Sequence, residues 1–203
     1  TVSPANGIAK AKTETSRDRV LSKDELLRIY NATYEMSYPF GPLLRILTLT
    51  GQRLNEVAGA TWTEIDLNTE KWELPRGRSK NKTSHIVHLS NPVLNELSNL
   101  INPMGHELIF TTTGVSPVSG FSKAKKKLDE ISGVTNWRLH DLRRTFATVA
   151  TETLGYEPVV VDRVLNHING SVKGIAAVYQ KGQYLDKRKT VLNAWANYIH
   201  SPK

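Results

Sequence analysis

The sequence predicts one mainly helical domain with a small antiparallel β-sheet, an α+β fold. Hydrophobic residues recur with a helical period near both ends of the 203-residue chain. The middle of the chain instead contains three short runs with the alternation that is typical of strands. A hydrophobic content of 39% and a mean hydropathy of −0.37 are typical of a globular domain that buries a core.

The first predicted helix begins shortly after a polar segment. Residues 1–19 are polar and basic and have no hydrophobic period, so we expect a linker or the tail of an upstream domain. Ser22 and Glu25 have the spacing of a capping box and predict the start of the first helix. Pro39 and Pro42 then bracket a turn before a second, strongly apolar helix.

Three strands are predicted in the middle, at residues 62–67, Lys71–Leu74 and residues 85–89. The last two are joined by residues 75–83, a basic connection with Gly and Asn that indicates a hairpin tip. Four positive charges lie on this tip: Arg76, Arg78, Lys80 and Lys82.

The rest of the chain is predicted to be mostly helical. Asn91 and Pro92 have the N-cap and N1 signature of a helix start. Hydrophobic periodicity extends this helix to about residue 101 and predicts further helices at residues 119–131, 139–154, 158–167 and 184–199.

The charge of the chain indicates which class of molecule it binds. The net charge of +8 and a pI near 9.7 favour a polyanion, with nucleic acid first and an anionic membrane surface second. The absence of Cys excludes a thiol nucleophile and a Cys-ligated metal. No apolar run approaches the roughly 20 residues that span a bilayer, so we expect an intracellular protein.

Several common catalytic motifs are missing from the sequence. It contains neither a glycine-rich phosphate loop nor a dinucleotide fingerprint after a strand. The six His are scattered, and no carboxylate cluster has the spacing of a metal site. We therefore expect neither a cofactor nor a metal ion.

The sequence does contain dispersed cationic and hydrogen-bonding residues. Arg53 follows a glycine break and is predicted to begin a helix, whose N-terminus favours anions. His140 and Arg143, three residues apart, are expected on one face of another helix. Metal-free phosphoryl transfer needs cations for the phosphate oxygens, proton donors and a hydroxyl nucleophile. The candidates for these tasks are Arg53, Lys80, His140, Arg143, His167 and Tyr179.

These residues lie in segments that resemble those of the tyrosine recombinases, also called phage-type integrases. The resemblance extends from about residue 19 to residue 199 and is greatest to integrases of prophages and genomic islands, as residues 177–180 and 195–198 indicate. The matching pieces are residues 50–57 (TGQRLNEV), Lys80 with residues 85–90 (HIVHLS), residues 140–148 (HDLRRTFAT), residues 165–167 (LNH) and Tyr179.

The resemblance implies the catalytic-domain fold and a role for each cation. Arg53 and Arg143 would clamp the scissile phosphate, with Glu56 orienting Arg53. Lys80 would protonate the 5′-oxygen that leaves, and its offset from His85 favours it over Lys82 for this task.

The resemblance also implies the covalent chemistry. Tyr179 would attack phosphorus and form a 3′-phosphotyrosine link, which conserves the bond energy without ATP. His140 and His167 would assist by hydrogen bonding or proton transfer. A free 5′-hydroxyl from the partner duplex would then reverse the step and exchange the strands.

The partners follow from the same resemblance. The expected substrates are double-stranded DNA attachment sites, bound by a homotetramer, and the outcome is integration or excision of a prophage or genomic island. Residues 20–203 would be the catalytic domain, preceded by a core-binding domain. An excision factor or DNA-bending protein would be a further partner, no membrane would be involved, and the location would be cytoplasmic, on DNA.

Two departures from the family pattern leave alternatives open. Asn166 stands where the family usually has Gly, and residues 169–174 lengthen the spacing between His167 and the tyrosine. Tyr184 is therefore a rival nucleophile. Arg144 is likewise the alternative to Arg143, although the spacing of three from the histidine favours Arg143.

Two other functions compete with recombination. A type IB topoisomerase would use the same chemistry on one strand, although residues 177–180 and 195–198 favour an integrase. A noncatalytic DNA-binding protein on the same scaffold is the other alternative, and the presence of every candidate residue argues against it.

Overall fold

The fold matches the predicted class: helices surround a small antiparallel sheet. The computed structural model describes residues 18–100, 105–167 and 184–201. In these ranges no helix has the length and apolarity needed to cross a membrane. The α-helices described are α1 (Lys23–Ala32), α2 (Phe40–Thr50), α3 (Leu54–Ala58), α4 (Asn91–Ser98), α5 (Phe121–Ser132), α6 (Leu139–Thr148), α7 (Pro158–Val164) and α8 (Leu185–His200).

The sheet has three antiparallel strands in the order β1 (Ile65–Asp66), β2 (Lys71–Leu74) and β3 (His85–His88). In the central strand Trp72 lies opposite Val87 of β3 and is 1% exposed, so one face of the sheet joins the core. The connection between β2 and β3 is the basic hairpin that the sequence predicts.

The capping box at the start of α1 forms as predicted. The Ser22 hydroxyl accepts a hydrogen bond from the Glu25 backbone N–H (3.2 Å), and the Glu25 carboxylate accepts one from the Ser22 N–H (2.9 Å). These two bonds satisfy N–H groups that have no partner within the helix.

The C-terminal helix α8 packs against α2, α7 and β3 and fixes their relative positions. Its Trp195 is fully buried and meets the Phe146 ring edge-on, with the centroids 5.2 Å apart. The indole N–H donates to the Thr48 carbonyl of α2 (2.9 Å). The core therefore holds α2, α6, α7 and β3 against one another.

Two predicted elements differ from the structure in kind, and the helix predicted at 158–167 already ends at Val164, before His167. Of the run at 62–67 only Ile65–Asp66 forms a strand; Trp62–Glu64 is a 3₁₀ turn, in which the Trp62 N–H donates to the Glu107 carbonyl (2.9 Å) and not to β2. The helix predicted at 139–154 ends at Thr148 and continues as a π-helical turn, Val149–Thr153. There the Thr151 hydroxyl donates to the carbonyls of Ala147 (2.9 Å) and Thr148 (3.1 Å), which competes with the regular helical pattern.

Candidate active site

Arg53 lies at the N-cap of α3, where the sequence predicts a helix start. Glu56 Oε2 accepts a hydrogen bond from the backbone N–H of Arg53 (3.2 Å). Glu56 Oε1 forms an ion pair with the Arg53 guanidinium (3.1 Å). Glu56 is only 2% exposed, so its carboxylate is a buried charge that requires such partners. Glu56 therefore holds both the backbone and the guanidinium of Arg53, as the sequence predicts.

Glu56 also connects α3 to the basic hairpin. Its Oε1 accepts from the backbone N–H of Lys80 (3.4 Å). Its backbone carbonyl accepts from the guanidinium of Arg78 (3.3 and 3.4 Å). One buried residue thus fixes the base of the Lys80 segment and the side chain of Arg53.

Arg143 lies in α6 and is 4% exposed. Its guanidinium donates to the Gly51 carbonyl (2.8 Å) and to the Leu165 carbonyl. Burial, and next the charge of Arg53, lower the pKa of Arg143 to about 10, so it stays protonated at neutral pH. Arg143 and Arg53 donate to the carbonyls of consecutive residues, Leu165 and Asn166, so the two guanidinium groups are neighbours.

Residues 164–166, the last residue of α7 and the two that follow it, present successive carbonyl oxygens to the site. We call this segment the carbonyl turn. A helix C-terminus carries partial negative charge, which suits cationic donors. The Leu165 oxygen accepts from Arg143, and the Asn166 oxygen accepts from Arg53 (3.4 Å). The first oxygen, that of Val164, accepts from Gln52 Nε2 (3.0 Å) and lies 3.0 Å from a ring nitrogen of His85.

His85 is a buried neutral histidine beneath the carbonyl turn. It is 6% exposed, and burial, then the charge of Arg188, lower its pKa to about 3. Because a carbonyl only accepts, His85 Nε2 carries the proton and donates to Val164. Nδ1 is then the acceptor for the Arg188 guanidinium of α8 (3.5 Å). This chain of bonds connects the C-terminal helix to the candidate site.

We expect His85 to make the protein sensitive to acid. Its folded pKa of about 3 lies below the ordinary value of 6.5, so between these values the unfolded chain binds the proton first. The contribution of His85 to the free energy of unfolding is therefore fully present above pH 6.5. It is lost as the pH falls toward 3, by about 1 kcal/mol per pH unit. Urea unfolding at pH 7 and pH 5 should show a smaller loss in His85→Gln; an equal loss would contradict this assignment.

His140 and His167 are both exposed and both lie near the two arginines. Desolvation, and then nearby cationic charge, lower the pKa of His140, so it is neutral at pH 7. Desolvation also lowers the pKa of His167, although the bond to Asp162 opposes this shift. Nδ1 of His167 lies 2.9 Å from Asp162 Oδ1, so the proton is on Nδ1 and Nε2 carries the lone pair.

The hairpin charges divide into one that is paired and three that are exposed. Arg78 binds both oxygens of Glu64 (2.5 Å each), and Glu64 also accepts from the Trp72 indole (2.9 Å). Arg78 is thus a structural residue and not a candidate acid. The exposed cations are Arg76, Lys80 and Lys82.

The structure brings Arg53, Arg143, His140 and His167 together. Arg53 and Arg143 donate to the carbonyls of Asn166 and Leu165, the two residues that precede His167, and His140 lies one turn before Arg143 in α6. Lys80 is connected to this group through its backbone bond to Glu56.

The tyrosines and the rival arginine have different positions. Tyr179 and residues 169–174 lie outside the described residues. Tyr184 is the N-cap of α8, with its ring partly buried against the core. Arg144 forms an ion pair with Asp141 (2.9 Å), one turn away in α6, as expected for the structural alternative to Arg143.

Sequence reasoning overlooked several residues that hold the site. Gln52 and His85 both lie in the matching segments, yet nothing in their residue type showed that they bind Val164. Arg188 carries no motif, and only its position on the inner side of a periodic helix could have indicated burial. Asp162, five residues before His167, was detectable as an acid near a candidate histidine. Among the described residues no three His, Asp or Glu side chains are grouped as metal ligands.

Comparison with known proteins finds prophage integrases among the relatives of this chain. The Escherichia coli (strain K12) prophage integrase IntZ is 28% identical over 159 residues, which are 78% of this chain and 39% of that protein. The chain therefore spans about two fifths of the length of the curated relatives it matches.

Solved structures share the fold. The lambda integrase catalytic core aligns with a TM-score of 0.57 at 20% identity, covering 74% of this chain and 96% of that one. A lambda integrase tetramer bound to a Holliday junction aligns with a TM-score of 0.60 at 18% identity, covering 82% of this chain and 52% of that one.

The model of the phage integrase family matches residues 19–180, which are most of the chain. This range contains all six residues that the sequence singled out. The chain belongs to the phage integrase family and has the catalytic-domain fold of the tyrosine recombinases.

Proposed function

We propose that this chain is the catalytic domain of a site-specific DNA recombinase that integrates or excises a mobile element, a prophage or a genomic island. The observation that carries the proposal is that the guanidinium groups of Arg53 and Arg143 donate to the consecutive carbonyls of Asn166 and Leu165 and so lie side by side, with His167 next in the chain and His140 one turn before Arg143. Two like charges side by side repel each other, so their proximity calls for an anion. A DNA phosphate is the anion that the net charge of +8 favours.

Both arginines retain donors that would bind that phosphate. The bonds from Arg53 go to Glu56 and Asn166, and those from Arg143 go to Gly51 and Leu165. These bonds use two of the five N–H groups of each guanidinium, so others can bind the nonbridging oxygens. Because the donors are already oriented, little reorganisation is needed as charge develops on the phosphorus centre.

The reaction we infer is a transesterification. The Tyr179 oxygen bonds to phosphorus, the bond from phosphorus to the 5′-oxygen breaks, and a 3′-phosphotyrosine link results. Lys80 gives a proton to the departing 5′-oxygen, and the tyrosine proton passes to a neutral histidine. His167 suits this task because Nδ1 is bonded to Asp162, which leaves Nε2 as the acceptor. The reverse step with a new 5′-hydroxyl exchanges the strands.

The partners we propose are two DNA attachment sites and further copies of the protein. The related lambda integrase forms a tetramer on a Holliday junction, and we extend that assembly to this protein. Integration and excision both require two duplexes cut and rejoined together, which four protomers accomplish. An excision factor or a DNA-bending protein is part of the same proposal, and the proposed location is on DNA in the cytoplasm.

Covalent capture tests the proposed function. A nicked duplex that carries the element's junction sequence loses a short fragment after cleavage, which prevents religation and traps the adduct. We expect the protein to form an adduct that survives denaturing electrophoresis and that yields phosphotyrosine after nuclease and protease digestion. A duplex of shuffled sequence is the matched control and should give no adduct.

The other outcomes discriminate between the competing functions. An adduct on the shuffled duplex together with relaxation of any supercoiled plasmid would indicate a topoisomerase. Binding to the junction duplex without an adduct would indicate a noncatalytic DNA-binding protein. In either case the affinity should fall steeply with salt, because phosphate contacts release counterions.

A further inference from the structure

Asn166 has a backbone conformation that explains why a flexible residue is suited to this position. Its φ is +51°, in the left-handed region that Gly and Asn adopt most readily. This turn directs the Asn166 carbonyl toward the site, where it accepts from Arg53 (3.4 Å) and from the Asn81 side chain. Glycine, usual in the family at this position, would provide the same backbone oxygen.

The side chain of Asn166 makes contacts that glycine cannot make. Its Nδ2 donates to the Ser79 hydroxyl (3.0 Å), and its Oδ1 accepts from the Thr83 hydroxyl (3.5 Å). With Asn81 on the carbonyl, every second residue of the segment 79–83 contacts Asn166. The lysines between them, Lys80 and Lys82, are both exposed.

We propose that Asn166 is a positioning residue that fastens the hairpin segment 79–83 to the carbonyl turn and thereby presents Lys80 to the leaving 5′-oxygen. This inference rests on the proposed function. Lys80 itself is exposed, and the anchors around it are the Glu56 bond to its backbone and the contacts of its neighbours with Asn166. Orienting a flexible donor before the reaction lowers the entropic cost of proton transfer.

The variant Asn166→Gly isolates this role. Glycine adopts a positive φ without strain and retains the carbonyl that binds Arg53 and Asn81, so only the amide contacts are lost. We expect single-turnover cleavage to slow about tenfold, since misplacing a general acid forfeits part of its 10²–10⁴-fold effect. DNA affinity should be unchanged.

A modified substrate distinguishes positioning of Lys80 from a general structural defect. When sulfur replaces the 5′-bridging oxygen, the bond from phosphorus to sulfur breaks and a stable thiolate leaves without needing a proton. Asn166→Gly, Ser79→Ala and the reference variant Lys80→Ala should then cleave within about threefold of the wild type, because the acid is no longer needed. A tenfold defect that persists on the sulfur substrate would overturn the inference.

Two further measurements complete the test. The double variant Asn166→Gly with Ser79→Ala should be no slower than Asn166→Gly alone, because Asn166→Gly already removes the contact with Ser79; additive effects would contradict the inference. Amide hydrogen exchange without DNA should be at least about fivefold faster at 79–83 in Asn166→Gly, and unchanged exchange would overturn the fastening. If the wild type forms no adduct on either substrate, the proposed function and the presentation of Lys80 both fail, while the exchange result still decides the fastening.

Discussion

Replacing Tyr179 by Phe is expected to abolish the covalent adduct on the nicked junction duplex. The variant lacks the phenolic oxygen that bonds to phosphorus in the proposed reaction, so the covalent adduct cannot form. Binding to the intact site should be unchanged, since phosphate contacts by Arg53 and Arg143 do not need this hydroxyl. Denaturing electrophoresis measures the adduct, and a mobility-shift titration measures binding.

Tyr184→Phe is the matched control. Tyr184 caps α8, its ring packs partly against the core, and the Lys187 ammonium lies 5.7 Å from the ring centroid. Phe preserves this packing, so we expect adduct formation within about twofold of the wild type. Loss of the adduct in Tyr184→Phe alone would preserve the proposed function and transfer the nucleophile to Tyr184. Loss in both variants would indicate a folding defect, which thermal unfolding would reveal.

Local signals in the sequence predicted much of the fold. The capping box of Ser22 with Glu25, the central strand Lys71–Leu74 and the start of α6 at residue 139 all depend on neighbours a few residues apart. The π-helical turn after Thr148 depends on local bonds of the Thr151 hydroxyl, whereas a distant segment decides the outcome at residues 62–67. Trp62 bonds to Glu107 across the fold, and no periodicity within 62–67 could reveal that partner.

The same distinction applies to the candidate site. The pair of Arg53 with Glu56 is a local spacing of three and was predictable. The bonds to Gly51 and to the carbonyl turn were not, because every residue carries a backbone carbonyl and only the fold selects which ones accept. Sequence motifs therefore identify the reacting groups, whereas the acceptors that orient them are visible only in the structure.

These backbone acceptors offset the electrostatic cost of placing two guanidinium groups side by side, as the proposed reaction requires. Bringing the guanidinium groups of Arg53 and Arg143 together without an anion is unfavourable, and burial of Arg143 adds to this cost. Glu56 supplies one full negative charge, and the carbonyls at the end of α7 supply partial negative charge. Neutral dipoles hold the cations without neutralising them, so the site stays attractive to a phosphate.

Arg143→Lys should therefore cause a large loss of cleavage. Lysine has one ammonium in place of a planar guanidinium and cannot bind Gly51, Leu165 and two phosphate oxygens together. We expect single-turnover cleavage to fall about 10³-fold, which corresponds to ~4 kcal/mol of transition-state stabilisation. DNA affinity should fall less than tenfold, because the positive charge is retained and other phosphate contacts dominate binding.

Arg144→Lys is the matched control for this prediction, because Arg144 follows Arg143 in α6 and its guanidinium forms an ion pair with Asp141 of the same helix. We expect its cleavage rate within about threefold of the wild type, as for a partly exposed ion pair. Thermal unfolding of both variants separates lost chemistry from lost folding, since Arg143→Lys also weakens two buried hydrogen bonds. If Arg143→Lys is folded and cleaves within tenfold of the wild type, the role of Arg143 is structural: it connects the ends of α2 and α7. Other residues must then bind the scissile phosphate.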